Sequence, residues 1–330
     1  MGLTALLSDS FGRQFPYLRL SITDACNFSC TYCLPNGYVK SETAQSHLSR
    51  DEIINLVSAF AELGTWKIRL TGGEPTLRRD LLAIVREIKA VPGIRKIALS
   101  TNGYRLKDQA RDLFEAGVNA LNVSIDSLDP ERFEKLTGFS KLTEILEGID
   151  TARAIGFTQV KVNAVLLAET CDAETALFLK WIKNVPVTVR FIELMPTGQN
   201  QEFFKSHHVQ GSLLADRLKN EGWSNRPRLA ADGPAQEFEH PDYTGRIGLI
   251  TPYAKDFCQS CNRLRVTSQG DLRLCLFGEG GTSVRHFLQS PTQRDDLKEL
   301  ISALLNQKEI SHYLPEGRFG NNQTFSAMGG

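Results

Sequence analysis

Three thiols stand close together in this 330-residue chain, Cys26, Cys30 and Cys33, spaced C-x3-C-x2-C with Tyr32 just ahead of the last. Thiolates are the ligands that iron-sulfur clusters select, and three in one short loop can converge on a single soft metal centre. A cube of four irons needs four ligands, so three thiolates leave one iron open to a small molecule, as a catalytic metal keeps one position free. A second set, Cys258, Cys261 and Cys275, gives C-x2-C-x13-C, with Asn262-Arg263-Leu264-Arg265 directly after its second thiol. C-x2-C with one later Cys also opens many structural zinc sites. His240 and His286 lie off the usual short spacing for a fourth ligand, and an open fourth position again suggests a ligand-binding cluster. Cys171 stands outside both sets and reads as a small buried or surface residue.

These loops need a frame. Between 17 and 196 short β-rich runs alternate with longer helical patterns, the sign of repeated βα units and a parallel sheet. The runs predict strands over 18–23, 67–71, 96–100, 120–125, 159–166 and 188–194. Helices are expected between them, among them 50–63, opened by Ser49 as N-cap, and 78–90, stopped by Pro92-Gly93. Six such units make an open partial barrel, short of the eight that close one. Past 196 the alternation stops: 198–221 reads as helical, 225–241 as irregular and polar, and the second thiol set follows. The expected division is a barrel over 1–196 and a C-terminal region over 197–330.

Strands of a parallel sheet covered by helices usually read as continuous apolar runs. Here they alternate. Arg19, Ser21 and Thr23 interleave with Leu18, Leu20 and Ile22; Lys67, Arg69 and Thr71 with Ile68 and Leu70; Asn122, Ser124 and Asp126 with Leu121, Val123 and Ile125; Lys161 and Asn163 with Val160 and Val162. Side chains switch faces at every strand residue, so one face of the sheet is polar and cationic. With the apolar face against helices, that polar face is the barrel lumen. A lumen carrying Arg19, Lys67, Arg69 and Lys161 against Asp126 needs an anionic ligand, because buried like charges are costly unless compensated. Two turns, Thr71-Gly72-Gly73-Glu74-Pro75 and Ser100-Thr101-Asn102-Gly103, follow strands where barrels build ligand sites. Their glycines let the backbone come close to a ligand.

Lysine plus arginine and aspartate plus glutamate both number 38, so net charge does not point to nucleic acid or to an acidic membrane. Seven cysteines, an odd number in two triplets plus one, do not form a secreted disulfide framework, and a reducing cytoplasm fits better. The first seven residues lack a basic n-region and a long apolar run, Leu6 stands where a myristoylation motif wants Ser or Thr, and no run has membrane-spanning length. A cytoplasmic protein is expected, without nucleic-acid or membrane partners.

Both triplets, read with Phe11-Gly12-Arg13, Tyr17-Leu18-Arg19-Leu20, the 69–80 and 122–129 segments, Lys161-Val162-Asn163, the 191–196 segment, the 257–265 segment and the terminal Gly329-Gly330, resemble the GTP 3',8-cyclases of molybdenum cofactor biosynthesis. These are radical S-adenosylmethionine (SAM) enzymes. The resemblance implies an α/β fold, a partial (βα)6 TIM-type barrel whose C-terminal extension carries a second cluster and closes the barrel. It implies that Cys26, Cys30 and Cys33 hold the 4Fe-4S cluster that cleaves SAM, and that Tyr32, Gly73, Ser124 and Met195 line the SAM site. Cys258, Cys261 and Cys275 would hold a second 4Fe-4S cluster facing guanine. Arg19, Arg69, Ser100, Lys161, Arg263, Leu264 and Arg265 would form the GTP site, with Arg19, Arg263, Arg265, Gly329 and Gly330 needed for catalysis. The implied reaction is that of a lyase: SAM yields methionine and a 5'-deoxyadenosyl radical, the radical takes hydrogen from ribose C3', and C3' attacks guanine C8. The product is (8S)-3',8-cyclo-7,8-dihydroguanosine 5'-triphosphate. A reductant such as flavodoxin, a downstream pyranopterin-forming enzyme and a homodimer complete the expected partners. Ser29, Leu34 and the 168–172 turn depart from the family pattern, but none of them is a ligand or a lumen cation.

Two other readings share some of these features. A peptide-modifying radical SAM enzyme would share the first triplet and the barrel, but commonly carries more auxiliary cysteines and has less need of a cationic lumen. A zinc-stabilised nucleic-acid module could use Arg263 and Arg265, against which stand the zero net charge and the lack of a basic stripe.

Overall fold

Alternating apolar residues in the β-rich runs bury one strand face under helices, and the computed structural model, which describes residues 6–40, 45–228 and 232–326, arranges them accordingly. The strands are β1 (Tyr17–Ser21), β2 (Lys67–Thr71), β3 (Lys96–Thr101), β4 (Ala120–Ser124), β5 (Val160–Leu166), β6 (Thr188–Glu193), β7 (Ser224–Asn225), β8 (Gln236–Glu239), β9 (Arg246–Ile250), β10 (Arg263–Val266), β11 (Asp271–Arg273) and β12 (Thr282–Ser283). The helices are α1 (Arg50–Glu62), α2 (Leu81–Ala90), α3 (Leu106–Ala116), α4 (Pro130–Thr137), α5 (Leu142–Ile155), α6 (Cys171–Ile182), α7 (Gln201–His207), α8 (Gly211–Asn220) and α9 (Arg294–Leu305). Among the described residues one sheet runs in the order β12-β11-β10-β1-β2-β3-β4-β5-β6-β9-β8-β7. From β10 to β9 the neighbours are parallel; the outer hairpins are antiparallel. The six expected strands are thus the middle of the sheet, and the C-terminal region adds a parallel strand to each edge.

The outer face carries the core. Leu18, Leu20, Ile68, Leu70, Leu121, Val123 and Val162 are fully buried, as are Ile53, Leu56, Ile84, Ile88, Leu113 and Ile149 from the covering helices. Each such side chain contributes about 1.5–3 kcal/mol of transfer free energy. Cys171, the first residue of α6, is half-buried against this core.

Several boundaries differ from expectation, each for a local reason. β1 ends at Ser21, because after Ile22 the chain turns into the first thiol loop and the Thr23 carbonyl accepts from the Gly73 N–H at 3.0 Å. Ser49 caps α1 in a reciprocal box with Glu52, as expected. α2 begins only at Leu81: Pro75 opens a short 3-10 turn, and the Arg78 guanidinium reaches the carbonyls of Ile22 and Leu48 at 2.8 and 2.9 Å. The helical 198–221 stretch is two helices, broken where His208 becomes extended and its ring bonds Glu193. The irregular 225–241 stretch contains β8, which pairs with the outer edge of β9.

Candidate active site

The first thiol loop leaves the C-terminal end of β1, while Cys258 and Cys261 lead into the N-terminal end of β10, parallel to it. Cys275 follows β11, which runs back antiparallel to β10. The two triplets therefore sit at opposite ends of the parallel strands, with the lumen between them.

At the first end both glycine-bearing turns are tied to the thiol loop. Glu74 is fully buried and accepts hydrogen bonds from the Thr76 backbone, the Thr101 hydroxyl at 2.8 Å and the Asn102 N–H at 2.6 Å. Asn102 in turn donates to the Asn27 side chain at 2.9 Å. A Cβ on Gly73 would lie 2.2 Å from the Ala25 carbonyl oxygen, so this glycine lets the thiol loop come close. Gly72 beside it has φ +151, and a Cβ there would lie 2.1 Å from the Thr23 oxygen. Tyr32 donates to Asp126 at 2.7 Å, and its carbonyl accepts from Asn200, which also bonds the Met195 carbonyl. Asp126 is not the counter-ion of the lumen cations: its other oxygen takes the Val165 N–H, and burial lifts its carboxyl to about 6. Burial, then the charge of Cys26, pushes the Cys33 thiol up to about 12, although the N–H groups of Phe325 and Ser326 bond its sulfur. Cys30 rises well above a free thiol through burial and the nearby Asp126, Cys33 and Cys26.

At the other end a cavity of about 1150 Å³ is lined by Cys258, Cys261 and Cys275 together with Tyr17, Arg19, Arg69, Arg190, Met195, Arg263 and Arg265. Strand register builds its cationic layer, pairing Arg265 with Arg19 and Arg19 with Arg69 across β10, β1 and β2. All five arginines are buried. Burial and the neighbouring Arg263 lower Arg265 to about 10; burial and Arg69 lower Arg190 to about 9. Burial would raise the Cys261 thiol, but Arg263, Lys308 and Arg265 bring it to about 7. The Tyr17 hydroxyl, buried among Arg69, Arg19, Arg263 and Arg190, has no hydrogen-bond partner among the described residues.

Both donor sets fit iron-sulfur clusters. All the cysteines are free, and each triplet is gathered in one place. Among the described residues no three His, Cys, Asp or Glu side chains are close enough to grip one ion. A cluster takes one thiolate per iron and so spaces its sulfurs further apart.

The expected residues fall into two groups. Arg19, Arg69, Arg263, Arg265 and Met195 line the cavity with the second triplet; Tyr32, Gly73 and Ser124 belong to the first end. Lys161 pairs with Arg226's partner Glu237 and is not in the cavity wall. The Ser100 hydroxyl is buried and has no hydrogen-bond partner among the described residues. The Leu264 side chain points into the core, leaving only its backbone for a ligand. Gly329 and Gly330 lie outside the described residues. Arg190, Tyr17 and Arg13 were not among the candidates. Arg190 alternates with the apolar Val189 and Phe191 in β6, the same signal that marked Arg19, whereas Arg13 acts by long-range bonds to the carbonyls of Cys258, Glu309 and Ile310.

Residues 20–182 match the Radical SAM superfamily and residues 187–314 match Molybdenum Cofactor Synthesis C. The GTP 3',8-cyclase of Tolumonas auensis is 52% identical over 325 residues, covering 98% of this chain and 96% of that protein. That of Yersinia pestis is 51% identical over 324 residues, 98% of this chain and 99% of that protein. Among solved structures, Streptococcus suis SuiB bound to S-adenosylmethionine superposes with a TM-score of 0.60 at 12% identity, covering 82% of this chain and 64% of that one, a likeness of fold. At half identity over nearly its whole length, the chain belongs to the GTP 3',8-cyclase family of radical SAM enzymes.

Proposed function

We propose that this chain joins C3' of GTP to C8 of its guanine, cleaving SAM at one end of the lumen and holding GTP at the other, an early step of molybdenum cofactor biosynthesis. The reading rests on one cavity that combines three thiols with the buried guanidiniums of Arg19, Arg69, Arg190, Arg263 and Arg265, set across the parallel strands from Cys26, Cys30 and Cys33. When bound, the cluster on Cys26, Cys30 and Cys33 supplies the electron that splits SAM and so makes the radical that abstracts hydrogen from C3'. The chain itself binds and places. Tyr32, Gly73, Ser124 and Met195 would line the SAM pocket, with Asp126 pinning Tyr32. Cys258, Cys261 and Cys275 would hold the second cluster facing guanine. Arg19, Arg69, Arg190, Arg263 and Arg265 would take the triphosphate, each charge-assisted bond contributing about 1.5–3 kcal/mol. Ser100, Lys161 and the Leu264 backbone complete this GTP site in the proposal. Gly329 and Gly330, outside the described residues, are needed for turnover in the proposal.

The division into a SAM-cleaving barrel over 1–196 and a substrate-holding region over 197–330 is part of the proposal, supported by where the two triplets fall. So are a reductant such as flavodoxin and a downstream pyranopterin-forming enzyme. Cytoplasmic placement is supported by seven free cysteines; separately, among the described residues no helix is long and apolar enough to cross a membrane. Iron and sulfide per chain on anaerobically reconstituted protein, with product analysis from GTP and SAM, tests the whole. One cluster per chain, or SAM cleavage without a cyclised nucleotide, would overturn it.

A further inference from the structure

The cavity's charges are one-sided. Arg69, Arg190, Arg263 and Arg265 are between 3% and 8% exposed, and the Nε of each has no hydrogen-bond partner among the described residues. Arg19 adds a fifth guanidinium at the same level of the strands. Against them the described lining offers only two carboxylates, Glu279 and Glu309, both exposed at the surface. Asp9 is bonded to Arg13 at 2.6 Å, and Glu237 is engaged by Lys161 and Arg226. Asp126 is bonded at the far end of the strands.

Enzymes that take a nucleoside triphosphate with magnesium supply hard oxygen ligands, above all carboxylates, and the ion bridges the phosphates. This cavity has the opposite composition. A divalent cation placed on the phosphates would stand among buried guanidiniums, with unfavourable Coulomb terms at short range and low dielectric. It would also cancel about half of the triphosphate's charge and occupy oxygens that the guanidiniums bond. Building on the GTP reading above, we propose that the ligand of this site is the metal-free triphosphate, and that magnesium acts as a competitor by withdrawing GTP into a complex the site rejects. The arginine layer takes the place that a magnesium ion and its carboxylates hold elsewhere.

The test is calorimetric titration of anaerobically reconstituted, two-cluster protein with GTP, first in EDTA and then at rising MgCl2, with NaCl controls matched in ionic strength. The apparent Kd for total GTP should rise in proportion to total over uncomplexed nucleotide, so about tenfold when nine tenths is complexed, while the Kd for uncomplexed GTP stays constant. An apparent Kd that is unchanged or tightened by magnesium overturns the inference and leaves the GTP reading standing. No binding of GTP under either condition removes both.

Discussion

At the scale of single residues the two thiol triplets should be separable. Replacing Cys26, Cys30 or Cys33 by Ala is expected to bring 5'-deoxyadenosine formation below detection, since three thiolates are the minimum that leaves one iron open. Replacing Cys258, Cys261 or Cys275 should stop cyclisation while some uncoupled SAM cleavage survives, because these thiols lie at the other end of the strands. Chromatography of both products decides, and normal cyclisation by any second-triplet variant refutes the assignment. Lys67 gives a second residue-level expectation. Burial, with Arg69, Lys96, Lys161 and Arg190 nearby, lowers its ammonium to about 7. A triphosphate in this lumen favours the charged form, raising that value toward the ordinary lysine range. The contribution to affinity is then fully present below about pH 7 and is lost as pH rises through the ligand-bound value, by up to about tenfold per unit. Calorimetry in buffers of different ionisation enthalpy should show proton uptake near zero at about pH 6 and approaching one proton above about pH 8. Lys67→Met should abolish that uptake; unchanged uptake in the variant would assign it to another group.

At the scale of elements the turn after β2 is the keystone of the first triplet. Gly72 and Gly73 lie against the Thr23 and Ala25 carbonyls, and Glu74 gathers the ends of β2 and β3. Gly73→Ala puts a methyl 2.2 Å from the Ala25 oxygen, a backbone atom that yields only if the whole loop moves. The expected result is a stability loss of about 1–3 kcal/mol from overpacking. With it should go roughly half of the iron, since one of two clusters is affected. Thermal unfolding and iron analysis check this; full iron content with normal SAM binding would mean that the loop tolerates the shift.

At the scale of the whole molecule the C-terminal segment links the two ends of the lumen. Gly320 packs on the Phe277 and Gly278 backbone beside the second triplet. The Asn322 side chain bonds Arg273 and the Leu276 carbonyl, its carbonyl accepts from Gly198, and the N–H groups of Phe325 and Ser326 reach Cys33. Residues 320–326 are thus tied to both ends of the lumen. Gly329→Ala and Gly330→Ala should therefore greatly reduce cyclised product while iron content, fold and SAM binding stay intact. A tag after Gly330 should do similar harm, and one before Met1 should not. Full turnover by a C-terminally tagged protein would show that the last residues have no part in the reaction.

What the sequence by itself determined is what short windows encode. Thiol spacing, period-two alternation in the strands and the Ser49 cap depend on residues near one another along the chain, so both triplets, the polar lumen and six of the strands were legible there. The same alternation marked Arg190 in β6, although it had not been singled out. Other features needed the folded chain. Which edges of the six-stranded sheet stay open, and so where β9 and β10 dock, depends on the completed sheet, not on any local pattern. Glu237 claims Lys161 across 76 residues, and Arg13 reaches Cys258 across 245. Such partners are chosen by burial, because a charged or polar group removed from water must bond whatever the fold has brought beside it.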